Sequence, residues 1–83
     1  MAILLATATF TGGQPLDGDF PYVDVTWATP YSAVGAYRVF AGVGVTDSNG
    51  AIVINLKSKS TTGVRVLASD QFTGSVELIA MDT

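Results

Sequence analysis

The chain contains no cysteine and no histidine. Disulfide scaffolds, zinc fingers and haem sites need one or the other, so these classes are closed to it. Ser-His and Cys-His nucleophilic pairs are excluded by the same absence. Basic residues are scarce: Lys and Arg number 4 against 7 Asp and Glu, a formal net charge of −3. Nucleic-acid binding requires a basic footprint, and so does docking on an anionic membrane, so neither partner is expected. No apolar run approaches the roughly 20 residues of a membrane helix. The opening stretch MAILLATATF lacks a basic region ahead of its apolar residues and carries Thr at alternating positions. It reads as a first strand rather than a signal peptide, and synthesis in a cytoplasm is expected.

What is abundant is apolar side chain. Of 83 residues, 48% are apolar and only 13% charged. A chain of this length forms one domain, here 1–83, with a small core and a large surface-to-volume ratio. That much apolar surface exceeds what one small core can hide. Self-association, or docking onto a larger surface, is the simplest way to cover the remainder.

The apolar residues alternate, which is the signature of strands. Between Tyr37 and Leu56, two alternating runs flank Asp47-Ser48-Asn49-Gly50. An Asn-Gly pair tolerates the positive φ of a primed turn, so this stretch predicts a long hairpin. Four further strands are predicted. They are Ala2 to Phe10, with Leu4, Ala6, Ala8 and Phe10 inward; Tyr22 to Trp27, with Val23, Val25 and Trp27 inward; a strand carrying Val64, Val66 and Ala68 inward; and Ser75 to Met81, with Val76, Leu78 and Ala80 inward. Gly, Pro and Asp content makes Thr11 to Phe20 a long loop, and Ala28 to Gly35 breaks the alternation as a second loop. Thr61-Thr62-Gly63 and Asp70 to Gly74 are turns. The fold class is all-β: a six-stranded antiparallel β-sandwich or small barrel.

The outward positions carry Ile3, Leu5, Phe40, Val53, Leu67, Ile79 and Met81, where a solvated face would be polar, and Ile3, Leu5, Phe40, Leu67 and Ile79 are the expected self-association residues. Scattered apolar residues are ordinary on any surface. With so few charges the set reads instead as a self-association face, and a cyclic homo-oligomer follows. Phe40→Asp is expected to dissociate it. The N-terminal strand and the loop Thr11 to Phe20, with Leu16, Asp17, Asp19 and Phe20, are the expected docking surface for a partner, because long ordered loops are often contact surfaces. Asp17-Gly18-Asp19 offers clustered oxygens for calcium but lacks the remaining ligands of a calcium loop, so no metal is assigned. Asp17, Asp19 and Asp24 read as solvated acids rather than a catalytic pair. Gly12-Gly13 and Gly42/Gly44 precede no helix and no Lys-Ser/Thr, so they form no phosphate loop, and no cofactor is expected. Trp27 reads as core and Tyr37 as a core cap with its hydroxyl at the rim. A glycan platform would draw on Tyr31, Asp70 and Phe72 in the later loops.

Four segments carry a family likeness: FPYVDV (Phe20 to Val25), YRVFAGV (Tyr37 to Val43), STTGVRV (Ser60 to Val66) and FTGSVELIAMD (Phe72 to Asp82). From Pro21 to Asp82 the chain resembles the small β-sandwich of the H-type lectin superfamily and its bacteriophage relatives. The resemblance implies trimers or hexamers of six-stranded sandwiches, which in phages form tail-fibre tips and other exterior virion parts. Two segments depart from the pattern. The final strand reads Glu77-Leu78-Ile79-Ala80 where the family often has a Trp, and Ala68 to Phe72 replaces the Trp-containing segment of the galactosamine-binding members. The likeness therefore carries a fold and no ligand site. A non-enzymatic homotrimer is expected, made in a host cytoplasm and placed on the virion exterior. The leading expectation is a capsid decoration (cement) protein that binds the major capsid protein or another virion protein. The alternative is a glycan- or receptor-binding tail-fibre tip module.

Overall fold

A computed structural model describes residues 3–46 and 52–82. The chain is all-β, in two antiparallel sheets. Its strands are β1 (Ile3–Thr11), β2 (Leu16–Asp17), β3 (Phe20–Thr26), β4 (Tyr37–Thr46), β5 (Ile54–Lys57), β6 (Gly63–Ala68) and β7 (Thr73–Asp82), with one turn of 3₁₀ helix at Val34–Ala36 before β4. One sheet has the order β1-β7-β4 and the other β2-β3-β6-β5.

Period-two patterning explains the core. Ala8 and Phe10 from β1, with Val76, Leu78 and Ala80 from β7, point from the first sheet toward Val25 from β3 and Val64, Val66 and Ala68 from β6. Each of these strands thus gives one face to a single apolar core and the other to the outside. Trp27 and Tyr37 close one end of it. Their rings meet edge to face at 5.9 Å, and Trp27 Nε1 donates to Tyr37 Oη at 3.1 Å. That hydroxyl in turn donates to the carbonyl of Ser60. Phe10 and Phe72 stack at 4.8 Å elsewhere in the same core.

The long hairpin does not form. β4 pairs with β7 along its whole length, and β5 pairs with β6 in the other sheet. The chain therefore crosses between sheets after β4; the Asp47 to Gly50 turn lies outside the described residues. The physical reason is strand length: ten-residue β7 offers a partner to all of ten-residue β4, which four-residue β5 could not. Tyr37 and Val39 on β4 and Ile54 and Leu56 on β5 all face the core. The crossing puts the two pairs in opposite sheets, facing one another across the core.

The first loop is also shorter than its composition suggests. Thr11 continues β1 and Phe20 opens β3, while β2 folds back onto β3 with Leu16 opposite Pro21 and Asp17 opposite Phe20. Gly18, at φ +64°, takes the left-handed turn between them at no steric cost. At Gly63 the constraint is distance. A Cβ built there would lie 2.0 Å from the carbonyl oxygen of Val25, so only glycine lets β6 start this close to β3.

Candidate functional site

On the outer face of the three-stranded sheet, register aligns the side chains in rows across β1, β7 and β4. Leu5, Ile79 and Phe40 form one row; Ile3, Met81 and Arg38 form the row on one side; Thr7, Glu77 and Gly42 form the row on the other. Leu5 is 77% exposed, Phe40 55%, Ile3 55% and Ile79 41%. Four of the five residues expected to self-associate thus share one continuous face. Exposed apolar residues gathered this way, rather than scattered, mark a contact surface.

Leu67 does not belong with them. It sits on β6, in the other sheet, opposite Tyr22 and Asn55. Only 9% of it is exposed, at the floor of a groove of about 700 Å³ whose walls include Asp17, Phe20, Val53 and Lys57. Alternation assigned it to an outer face correctly but could not say which sheet or what covers it. It is withdrawn from the self-association set.

The second outer face is organised by charge. Arg65 Nε and Nη2 donate to the two oxygens of Asp24, at 2.8 and 3.1 Å, and Nη1 donates to Asp17 Oδ2 at 3.1 Å. Lys57 Nζ reaches both oxygens of Asp17, at 3.0 and 2.9 Å. The Arg65 guanidinium also lies over the ring of Tyr22, 3.8 Å from its centre. The register dictates the arrangement, since Asp24 pairs directly with Arg65 across β3 and β6, and Lys57 lies opposite Arg65 on β5. Hydrogen bonds from Lys57, then from Arg65, hold the Asp17 carboxyl below the usual carboxylate range, and those from Arg65 do the same for Asp24. The two carboxylates in turn hold Arg65 firmly protonated. Asp17 is thus occupied by two cations, which leaves Leu16, Asp19 and Phe20 as the outward parts of the expected docking loop; Leu16 and Phe20 are both exposed. No group of three or more acidic side chains that could hold a metal occurs among the described residues. The Arg65 clamp escaped sequence reading because it needs the pairing of β3 with β6, which alternation alone does not reveal.

The three residues of the glycan platform do not come together as an exposed surface. Phe72 is buried in the core against Phe10. Tyr31 is half-buried and lies flat on Tyr37, with ring centres 4.1 Å apart and planes 9° from parallel. Desolvation raises the pKa of the Tyr31 phenol above its ordinary value, with Asp82 and Tyr37 adding to the rise. Asp70 is exposed, and its carboxylate accepts the backbone N–H of Gln71 at 2.8 Å. The loop carrying Tyr31 is tied to the turn before β6, Trp27 N–H donating to Thr62 O at 2.7 Å and Tyr31 N–H to Thr61 O at 2.9 Å. Both aromatic rings of the supposed platform are therefore packing elements. A phenylalanine in a turn has no periodicity to reveal whether it points in or out, which is why Phe72 read as exposed.

Comparison of the chain with protein-family models, with curated proteins and with solved structures found no match.

Proposed function

We propose that the protein is a non-enzymatic bacteriophage virion structural protein, an oligomeric capsid decoration (cement) module on the outer shell, built as a β-sandwich of six principal strands with β2 as a short addition. The observation that carries this is the exposed Leu5–Ile79–Phe40 row, flanked by Ile3, on a domain with 13% charged residues. A face of this kind serves assembly better than catalysis, and the H-type-lectin-like segments supply the phage context. A cement protein acts by mass action. It binds only the assembled shell, and so stabilises that state by an amount that grows with the logarithm of its own concentration over its dissociation constant. Leu16, Asp19 and Phe20 on the β2–β3 corner are the surface offered to the shell, and the three-stranded sheet is the surface offered to other copies. Three copies are what the family likeness implies.

The fibre-tip alternative loses support with the burial of Phe72 and the stacking of Tyr31, since a sugar ring needs an open aromatic face. The test is to label the purified protein and locate it on phage particles. Stoichiometric label over the capsid shell is expected. Label confined to fibre tips, or glycan-array binding that Asp70→Ala abolishes, would replace this proposal with the adhesive one.

A further inference from the structure

We propose that the outer face of the three-stranded sheet binds a second copy of the chain about a two-fold axis lying along the Leu5–Ile79–Phe40 row, so that the row meets itself and Arg38 of each copy reaches Glu77 of the other. This rests on the proposal above that the face is an oligomer contact, and adds the orientation of the partner.

Successive rows on one face of a sheet are about 7 Å apart, two residues along the strand. Two such faces can meet about an axis along the strands or an axis along the rows. An axis along the strands sets every row against its own copy. Glu77 would then oppose Glu77 of the other copy, and Arg38 would oppose Ile3, so that two like charges are desolvated together and a guanidinium is left on an apolar neighbour. An axis along the central row exchanges the two flanking rows. Leu5, Ile79 and Phe40 still meet their own copies, which suits an apolar row. Arg38 now stands over Gly42 of the other copy, one strand away from Glu77.

Three features of the face fit this second arrangement. Gly42 leaves a gap, because a Cβ built there would meet nothing within 4 Å, and the Arg38 stem can lie in it. The Arg38 side chain has no hydrogen-bond or ion-pair partner among the described residues. Glu77 accepts one bond through Oε2, from Thr7 Oγ1 at 3.0 Å, and its other oxygen leans over β4 toward Gly44. The pair therefore forms twice per dimer by symmetry, at the rim of the apolar row. Three strands about 4.8 Å apart, spanning nine-residue β1, present roughly 400 Å² per copy. That is at the low end for specific contacts, so micromolar dissociation is expected. A two-fold contact builds a dimer or an even multiple of it, in contrast to the trimer that the family likeness implies.

The test is sedimentation equilibrium of the full chain in the micromolar range, with circular dichroism to confirm that each variant folds. The expected mass is twice the 8.6 kDa of one chain. Arg38→Glu and Glu77→Lys should each weaken association about tenfold, and the double variant should restore it to within about threefold. Loss without recovery in the double variant, a three-copy mass, or a clean monomer would overturn the proposal. Its failure is separable from that of the virion role. Label on the capsid shell with no recovery sinks only the two-fold contact, whereas recovery in solution with no shell binding sustains the contact and sinks the virion role.

Discussion

Single residues at the Trp27–Tyr37 end of the core hold several segments at once. The Tyr37 hydroxyl accepts from Trp27 and donates to Ser60. Its ring lies under Tyr31, with Lys59 Nζ 4.2 Å from its centre. Tyr37→Phe keeps the ring and orphans a buried indole N–H and a backbone carbonyl, at a cost of about 1–3 kcal/mol. Urea denaturation should show the midpoint falling with the slope unchanged. Gly63 is a harsher case, because the atom in the way of a new Cβ is backbone. Gly63→Ala must push β3 and β6 apart, and a loss of about 3 kcal/mol or more is expected in the same assay.

Among the elements, strands were legible in the sequence and their partners were not. The inward sets of β1, β3, β6 and β7 follow from alternation, which is a property of each strand alone. Pairing is a property of the whole sheet. The Asn-Gly turn signalled a hairpin, but β7 pairs with all of β4 and leaves β5 to β6, so the two arms lie in different sheets. The candidate face was half legible for the same reason. Ile3, Leu5, Phe40 and Ile79 could be read as outward, but only the register through β7 makes them neighbours, and only the sheet order separates Leu67 from them. The Arg65 clamp, which ties the β2 hairpin to β3 and β6, is testable here. Asp17 and Asp24 have pKa values lowered from an ordinary 3.8, so their contribution to stability is complete well above that pH. It fades as the pH falls through the lowered values and the carboxylates take up protons. Thermal unfolding should therefore lose Tm as the pH drops below 3.8, and Asp17→Asn should flatten that dependence while lowering Tm at neutral pH.

For the molecule as a whole, the proposed self-association ties stability to concentration. If folded copies associate and unfolded ones do not, Tm rises with protein concentration. Differential scanning calorimetry over a hundredfold range should show that rise for the unaltered chain and none for Phe40→Asp. At the dilute limit the two should agree within about 0.5 kcal/mol, because Phe40 is exposed and contributes little to the isolated fold.

The place of β7 between β1 and β4 bears on how the chain reaches this state. β1 and β4 pair with β7 and not with each other, so neither gains a hydrogen-bonded neighbour in its sheet until Thr73–Asp82 has been synthesised. During translation the β2-β3-β6-β5 sheet can assemble first, but it would hold a half-built core open to other nascent chains. Pairing Ile3 with Met81 then joins residues far apart in sequence, which places this step among the slow ones. The arrival of β7 thus ends the period of greatest aggregation risk.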